Sequence, residues 1–295
     1  MAKIVITTGD KLGIGKEITK KALDIIKPDK NKIIILGEKI DVDYDFIPIE
    51  EDNNGEFCYQ SLKLASDMAL DNKIQGIVTS PVSKKVLNDA GYHFSGQTEV
   101  LESLLSPNKK NAQMLFIAGE LKVMLLTRHL ALSDVKLNKD EIIYQTKILH
   151  RFLIDKYKIE SPKIALCALN PHAGEEGILG REEIDILNPA VKKLSNEGIS
   201  ITKPLSADAL FAHVGYQYLN KKSLSYDAIL ACYHDQGLCP LKALAFNKAV
   251  NTTIGLKVIR TSPSSGTAYD IAGKNIANPE SMVEAIRLAL KLTNY

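Results

Sequence analysis

Short apolar runs of four or five residues alternate along most of this chain with longer stretches of helical periodicity. The runs are residues 4–7, 33–36, 76–79, 114–118, 122–126, 164–168, 228–232 and 256–259. The helical patterns are residues 16–26, 59–70, 140–156, 182–196 and 279–292. A strand followed by a helix needs a crossover connection, so the strands are expected to be largely parallel and buried. The alternation predicts an α/β fold.

Length and charge narrow the class further. A chain of 295 residues is long enough for two domains, and 45% hydrophobic with 24% charged residues is typical of a globular protein. The net charge of +2 gives no argument for a nucleic-acid or membrane partner. No apolar stretch approaches the ~18 residues that span a bilayer, and no signal peptide is visible. We therefore expect a cytoplasmic protein. The acidic residues 41–54 are interpreted as a surface loop or an edge element.

Cysteine usage is sparse and contains no CxxC motif. The chain has four cysteines, Cys58, Cys167, Cys232 and Cys239. So few cysteines in a long chain indicate reduced thiols in a reducing compartment. Cys232 and Cys239 flank His234, so a thiolate metal site is one interpretation. Small buried residues near strand ends are the favoured one.

Three histidines occupy similar places, just beyond apolar runs. His129, His172 and His234 each follow a predicted strand, and ligands of open α/β sheets gather beyond the carboxyl ends of strands. Neutral imidazoles suit Zn²⁺ and other first-row ions, and three of them leave coordination positions for substrate. The alternative is that each ring satisfies local hydrogen bonds. The other three histidines lack this placement and are interpreted as structural or exposed.

Two glycine-containing loops are candidate ligand loops. Residues 8–17 include Gly13 and Gly15 between a strand and a helix, where backbone can approach a ligand and amides can meet an anion. The run lacks the GxGxxG fingerprint, so a Rossmann site is not supported. In residues 265–279, Asp270 could accept hydrogen bonds from the hydroxyls of a ribose. The alternative there is a capping loop, with Asn278 and Pro279 starting the last helix.

Polar segments supply further candidates. Residues 79–84 place hydroxyls and a lysine after a strand; Ser80 as a helix cap with Pro81 in the first turn is an alternative of similar weight. After His234 come Lys242, Asn251 and Arg260, which suit a phosphate or carboxylate because arginine can grip one with two hydrogen bonds. A surface salt-bridge cluster is the alternative.

Nine motifs together carry a family resemblance. They are residues 9–17 (GDKLGIGKE), 79–85 (TSPVSKK), 95–99 (SGQTE), 127–132 (TRHLAL), 169–183 (LNPHAGEEGILGREE), 204–211 (PLSADALF), 233–242 (YHDQGLCPLK), 250–262 (VNTTIGLKVIRTS) and 266–277 (GTAYDIAGKNIA). On these motifs the chain resembles the 4-hydroxythreonine-4-phosphate dehydrogenase family of vitamin B6 biosynthesis. The first and last motifs are also similar to those of isopropylmalate and isocitrate dehydrogenases, which bind NAD without the Rossmann fingerprint.

The resemblance implies an architecture. It implies two α/β/α domains with a mainly parallel sheet and an inter-domain cleft, as in isopropylmalate dehydrogenase. We place the first domain at residues 1–95 plus 255–295 and the second, with the dimer interface and metal ligands, at 96–254. It further implies a homodimer whose active sites draw on both subunits.

The resemblance also implies site residues. It assigns a divalent cation, Zn²⁺ first and Mg²⁺, Co²⁺ or Mn²⁺ as alternatives, to His129, His172 and His234 across the dimer interface. It assigns the small phosphorylated substrate to Gln97, Thr98, Lys242, Asn251 and Arg260. It assigns NAD or NADP to the loops of Gly13, Gly15 and Asp270. We expect Lys242 to transfer a proton or hold phosphate, and Asp235 and Asp208 to orient histidines or water.

The implied reaction is the oxidation of 4-phosphooxy-L-threonine to 2-amino-3-oxo-4-phosphooxybutanoate, which loses CO₂ to give 3-amino-2-oxopropyl phosphate. The chain departs from the family at Gln97, where His is usual, at Lys11 and Lys16, where Pro is usual, and at Ser264-Ser265, where Asp-His is common. These departures leave two alternatives open. One is a dehydrogenase of four-carbon phosphorylated sugar acids (4-phosphothreonate or 4-phosphoerythronate), and the other is a non-catalytic metal-binding protein of the same fold.

Overall fold

The fold alternates strands and helices throughout, in a computed structural model that describes residues 3–106 and 111–293. The strands are β1 Ile4–Thr7, β2 Ile33–Gly37, β3 Asp45–Pro48, β4 Gly76–Thr79, β5 Gln113–Ala118, β6 Leu121–Leu125, β7 Ile164–Cys167, β8 Ile201–Leu205, β9 Ala228–Ala231, β10 Val250–Ile254 and β11 Ile259–Pro263. The helices are α1 Gly15–Ile26, α2 Asn54–Leu70, α3 Lys84–Asp89, α4 Gln97–Leu105, α5 Lys139–Tyr157, α6 Asn188–Asn196, α7 Ala207–Leu219, α8 His234–Ala245 and α9 Glu280–Thr293. The predicted α/β class is confirmed.

Seven of the eight predicted strands are present, with ends that differ by at most one residue. The eighth, residues 256–259, is wrong: residues 255–258 form the bend between β10 and β11, and Ile259 is already the first residue of β11. Both flanking strands bury threonines such as Thr252 and Thr261. Because threonine counts as polar, a search for apolar runs does not detect these strands. β3 lies within the acidic 41–54 segment and is an edge strand, as one interpretation of that segment expected.

The chain divides into two compact units, which are described separately. Unit 1 comprises Met1–Ala112 and Val250–Tyr295, and unit 2 comprises Gln113–Ala249. These limits differ from the expected 95/96 and 254/255. The reason is packing: Val100 and Leu101 of α4 share a core with Phe57 and Leu62 of α2, and β10 pairs with β11. Both elements therefore belong to unit 1.

Unit 1 has the strand order β3-β2-β1-β4-β11-β10, parallel except for the β10–β11 pair. Successive β1 side chains point to opposite faces, so each face needs its own cover. Ile4 and Ile6 pack with α1 and α9, whereas Val5 packs with α2 and α4. The unit is an α/β/α sandwich.

Unit 2 has the strand order β5-β6-β9-β7-β8, parallel except for the β5–β6 hairpin. Helices α7 and α8 pack against the β6, β7 and β9 side chains of one face. Helix α5 packs on α6, and α6 packs on β8. Within residues 3–106 and 111–293, none of the helices combines the length and apolarity that crossing a bilayer requires.

Candidate functional site

Three neighbouring parallel strands of unit 2 end at the same edge. β9 lies between β6 and β7, and all three run in the same direction. His129 comes four residues after β6 ends, His172 five after β7, and His234 three after β9. The topology therefore brings all three histidines to one edge of the unit 2 strands, although their role as metal ligands stays a prediction.

The segments after β6 and β9 are fastened to each other. The Thr127 hydroxyl and amide both donate to the Cys232 carbonyl, at 2.7 and 3.2 Å. This places the His129 and His234 ring centroids 5.6 Å apart. The two rings line a cavity of about 210 Å³ together with Asp235 and Tyr233. Two of the three candidate ligands are therefore neighbours.

Asp235 is hydrogen-bonded to one of these rings. Its Oδ1 lies 2.6 Å from Nδ1 of His234. With an ionised carboxylate as acceptor, Nδ1 carries the proton and Nε2 keeps its lone pair for a ligand. Carboxylate–imidazole pairs of this kind fix the tautomer of metal-binding histidines. The contact is consistent with the expected orienting role of Asp235, which stays a prediction.

Gln236 ties two strand ends together, a role that sequence reasoning missed. Its Oε1 accepts from the Cys232 amide and its Nε2 donates to the Ala168 carbonyl, both at 2.7 Å. The ends of β9 and β7 are thereby joined just before the segments that carry His234 and His172. The only sequence signal for this role is that Gln236 lies in the dense polar run that follows β9.

His172 lies on an unusual turn, Pro171–Gly177. The φ angles of His172, Ala173, Gly174, Glu175 and Glu176 are all positive, between 41° and 78°. Non-glycine residues adopt this left-handed region at a cost of about 1–2 kcal/mol each.

A buried carboxylate holds the chain just before this turn. Glu183 is 3% exposed and accepts from the amides of Leu169 and Asn170, each at 2.9 Å. It also accepts from the Asn170 side chain. Asp208 is exposed, and its pKa is lowered mainly by a hydrogen bond from Ser206 and in small part by the charge of His172. Its role in orienting a histidine or water stays a prediction.

The fit to a metal is partial within one chain. Across the described residues, no three His, Cys, Asp or Glu side chains are arranged to hold an ion. The His129–His234 pair offers nitrogen donors of the type that zinc prefers. The donor chemistry fits a divalent cation, and a third donor has to be added to this pair.

The two buried cysteines of unit 2 do not supply that donor. The Cys232 thiol donates to the Cys167 carbonyl at 3.2 Å, and burial raises its pKa well above the ordinary value. Burial also raises the pKa of Cys167 to about 12. Both stay protonated at neutral pH. The buried structural interpretation therefore fits Cys232, but it is wrong for Cys239, which is exposed on α8.

In unit 1, Arg260 is the centre of the candidate substrate site. It lies on β11, is 3% exposed and donates from Nε and Nη2 to the Thr79 hydroxyl, at 2.8 and 2.6 Å. Nη1 lies 3.5 Å from the Thr98 hydroxyl. Among the described residues it forms no ion pair, so the surface salt-bridge alternative is wrong for Arg260. A buried guanidinium with only hydroxyl partners suits an anion.

Two buried acceptors accompany the arginine. Gln97 donates from Nε2 to the Ser80 carbonyl at 3.1 Å, which directs its Oε1 elsewhere. That Oε1 and the Asn251 Oδ1 are buried without a hydrogen-bond partner in the part of the chain described. Thr253 faces Arg260 across the β10–β11 pair, so Asn251, two residues away, shares its face of the strands. These acceptors can take hydroxyl or ammonium donors of a ligand.

Two other candidates need separate comment. Ser80 does not cap a helix as one interpretation expected: α3 begins later, after Ser83, and the buried Ser80 hydroxyl bonds Thr19 at 3.0 Å. Lys242 belongs to unit 2, where it is half-buried on α8, the helix that His234 starts. Its catalytic or phosphate-holding role stays a prediction.

The two glycine-containing loops of unit 1 contact each other. The Ile14 amide donates to the Thr267 carbonyl at 3.0 Å, and a Cβ on Gly13 would lie 3.0 Å from that oxygen. A Cβ on Gly15 would lie 2.1 Å from the Thr8 carbonyl. Close packing therefore requires the glycine at position 15 whether or not it binds a ligand, whereas a Cβ at position 13 would need a small shift of the Thr267 carbonyl. Asp270 is exposed on the later loop, and Asn278 caps α9 through the Glu280 amide at 2.9 Å, as expected.

The lysines that depart from the family pattern have local partners. Lys11 donates to the Glu51 carbonyl and lies 4.6 Å from the centre of the Phe57 ring. Lys16 pairs with Glu38 at 3.0 Å. Both connect the first loop region to its neighbours.

Comparison with known proteins covers nearly the whole chain. A family described as pyridoxal phosphate biosynthetic protein PdxA matches residues 5–289. A 4-hydroxythreonine-4-phosphate dehydrogenase of Sulfurihydrogenibium sp. (strain YO3AOP1) is 36% identical over 99% of this chain and 98% of its own length. The crystal structure of the Klebsiella pneumoniae enzyme of that name matches with a TM-score of 0.85 and 31% identity, covering 100% of this chain and 98% of that one.

A more distant likeness shows the fold alone. Isocitrate dehydrogenase from Methylococcus capsulatus matches with a TM-score of 0.54 and 15% identity, covering 99% of this chain and 85% of that one. This is the fold group that the first and last motifs indicated.

Proposed function

The chain belongs to the family of pyridoxal phosphate biosynthetic proteins PdxA, and from that membership we propose that it oxidises 4-phosphooxy-L-threonine with NAD and a divalent cation. Its relatives are named dehydrogenases, so it is an oxidoreductase of pyridoxal phosphate biosynthesis. The product would be 2-amino-3-oxo-4-phosphooxybutanoate, a β-keto acid that loses CO₂ to give 3-amino-2-oxopropyl phosphate. The observation that carries the proposal is the buried Arg260, held by hydroxyls and without an ion-pair partner among the described residues.

Each residue then has a task. A bound divalent cation would lower the pKa of the substrate hydroxyl, and the nicotinamide would accept the hydride. Arg260 would bind the phosphate or carboxylate, and Thr98 would complete that contact. The free oxygens of Gln97 and Asn251 would accept from the substrate's hydroxyl and ammonium groups. Asp235 keeps the His234 ring in one tautomer.

We further propose that a homodimer completes the metal site. The described residues of one chain bring His129 and His234 together but no third donor, and the second copy would supply its His172. Exposed apolar side chains in unit 2 are consistent with such a contact, among them Leu130, Leu132, Ile178 and Leu179.

The test of the reaction is NAD reduction by the purified protein with phosphorylated hydroxy acids, with and without Zn²⁺, Mn²⁺ or Mg²⁺. We expect the highest kcat/KM for 4-phosphooxy-L-threonine. A higher value for 4-phosphothreonate or 4-phosphoerythronate would support the alternative that Gln97 left open. Bound metal without turnover of any such substrate would favour a non-catalytic protein.

Subunit mixing tests the shared site. His172→Ala and His234→Ala should each lose metal and activity while staying folded. If the two residues come from different chains, mixed dimers regain one intact site, and about a quarter of the wild-type activity returns on random reassortment. No recovery in demonstrably mixed dimers would contradict sharing.

A further inference from the structure

Tyr269 connects the loop of residues 264–279, which we call the last loop, to the first loop of residues 8–14. Its hydroxyl donates to Oδ2 of Asp10, a residue that is 1% exposed. Oδ1 of the same carboxylate accepts from the Leu12 amide at 3.0 Å and from the Asn54 side chain at 2.8 Å. Asp10 is therefore fixed by the first loop and by α2, and Tyr269 joins the last loop to that fixed point.

Hydrogen bonds hold the rest of the last loop near its two ends, and between them Ile271 and Ala272 are partly buried against the unit 1 core. On one side the Thr267 carbonyl accepts from Ile14. On the other side Lys21 donates to the Asn275 and Ala277 carbonyls at 2.9 and 3.1 Å, and Glu17 accepts from the Ala277 amide at 2.7 Å. Residues 268–274 lie between these contacts and include the exposed Asp270 and Gly273.

The hydroxyl matters more than the ring. Tyr269 is 45% exposed, so burial of its ring fastens the loop only weakly. The preceding residue, Ala268, has φ of 45°, a backbone state that surrounding contacts must hold in place. Burial raises the pKa of the Tyr269 phenol, and the hydrogen bond to Asp10 raises it further. The hydroxyl therefore keeps its proton and remains a donor at neutral pH.

We propose that Tyr269 is a positioning residue, which holds residues 268–274 in the conformation that receives the dinucleotide by bonding Asp10. The inference rests on the proposed function, which requires NAD, and on the family resemblance, which assigns the dinucleotide to the loop of Asp270. A loop that is already ordered loses less conformational entropy when a ligand binds. Losing a hydrogen bond to a carboxylate should therefore weaken dinucleotide binding without altering the chemical step.

The test compares Tyr269→Phe with Tyr92→Phe in the full chain. Tyr92 is a matched control, because its hydroxyl also donates to a carboxylate of unit 1, Oε2 of Glu56 at 2.7 Å, and the residue lies outside both loops. For Tyr269→Phe we expect the Kd for NAD, measured without substrate, to rise about tenfold. The kcat at saturating NAD should stay within about twofold of wild type. Tyr92→Phe should change neither value.

Hydrogen exchange supplies a readout that needs no cofactor. Backbone amides of residues 268–274 should exchange about tenfold faster in Tyr269→Phe and unchanged in Tyr92→Phe. In an Asp10→Asn background, Tyr269→Phe should have a smaller effect than in wild type, because the two side chains act as one contact.

Two results would overturn the proposal: exchange as slow as in Tyr92→Phe, or faster exchange with an unchanged Kd for NAD. Failure of the wild-type protein to bind NAD or NADP would instead defeat the proposed function, and it would be seen before any variant is made.

Discussion

Arg260 combines deep burial with a full positive charge. Burial lowers its pKa to about 10, and the nearby negative charge of Glu99 partly offsets that effect. At neutral pH the guanidinium therefore stays charged although its described partners are hydroxyls. Burying a charge without an ion-pair partner opposes folding, so the residue is better explained by a bound anion than by stability.

Arg260→Met should separate these two roles. We expect the free energy of unfolding to stay the same or rise by about 1–2 kcal/mol, because an apolar side chain of similar length replaces a desolvated charge. The KM for the phosphorylated substrate should rise about a hundredfold. Arg260→Lys keeps the charge but loses the second parallel hydrogen bond of the guanidinium, so its KM should lie between those of the wild type and Arg260→Met. A less stable Arg260→Met protein with normal KM would make the arginine structural.

At the scale of elements, apolar runs predicted the buried parallel strands because both faces of those strands are covered. The same criterion missed β10 and β11, whose buried threonines look polar. The search for helical periodicity missed α8, because a histidine, an aspartate, Gly237 and Pro240 interrupt its pattern. The three candidate histidines could be proposed from the sequence because each follows the end of a predicted strand. The Asp10–Tyr269 contact, between residues 259 apart, leaves no local sequence signal.

Gly237 is needed for the packing of α8 against its strands. A Cβ there would lie 2.9 Å from Ala231 Cβ and 2.9 Å from Leu125 Cδ2. We expect Gly237→Ala to lower the free energy of unfolding by about 1–3 kcal/mol through overpacking. Gly215→Ala on α7 is the control: its Cβ would meet only Leu244 at 3.6 Å, and helix propensity should stabilise it by up to about 1 kcal/mol. Urea unfolding measures the free energy of unfolding of both variants. An equal change in the two variants would exclude a packing role for Gly237.

Glu17 links α1 to the last loop and makes that link depend on pH. Burial alone would raise its pKa, but hydrogen bonds from Lys21 and the Ala277 amide outweigh it, and the pKa lies below the ordinary 4.5. The unfolded chain thus binds a proton at higher pH than the folded one. The stabilisation is complete above pH 4.5 and is lost as pH falls through the lower folded-state value.

Glu17→Gln should therefore be less stable than wild type at neutral pH, by about 1 kcal/mol. The difference should shrink as the pH falls from about 6 to about 3.5. Urea unfolding of both proteins across this range measures it. A difference that is constant with pH would show that the charge of Glu17 contributes nothing.

At the scale of the whole molecule, the two units divide the proposed work. Unit 2 contains the three histidines, and unit 1 contains Arg260 with its orphaned acceptors and the two contacting loops. Sequence resemblance could assign these groups but not the division at 112/113 and 249/250. That division depends on which core α4 and β10 join, and long-range packing decides this.

Metal should stabilise the folded protein measurably. At a zinc concentration a hundred times the Kd, binding adds about 2.7 kcal/mol to the free energy of unfolding, which raises Tm by about 4 °C. A chelator should reverse the gain. Cys239→Ser, which removes the one exposed thiol among the described residues, should keep it, and His234→Ala should lose it. Stabilisation that survives in His234→Ala would place the ion elsewhere.

The position of the His172 ring, on its left-handed turn, depends on the carboxylate of Glu183, although the two side chains are not in contact. Four non-glycine residues there favour unwinding toward right-handed backbone, and Glu183 grips the chain immediately ahead of them. Weakening that grip with Glu183→Gln should let the turn relax and carry the imidazole away, so zinc affinity would fall while every candidate ligand is still present. Calorimetric titration with zinc would show it, and undiminished affinity would mean that the turn keeps its shape unaided.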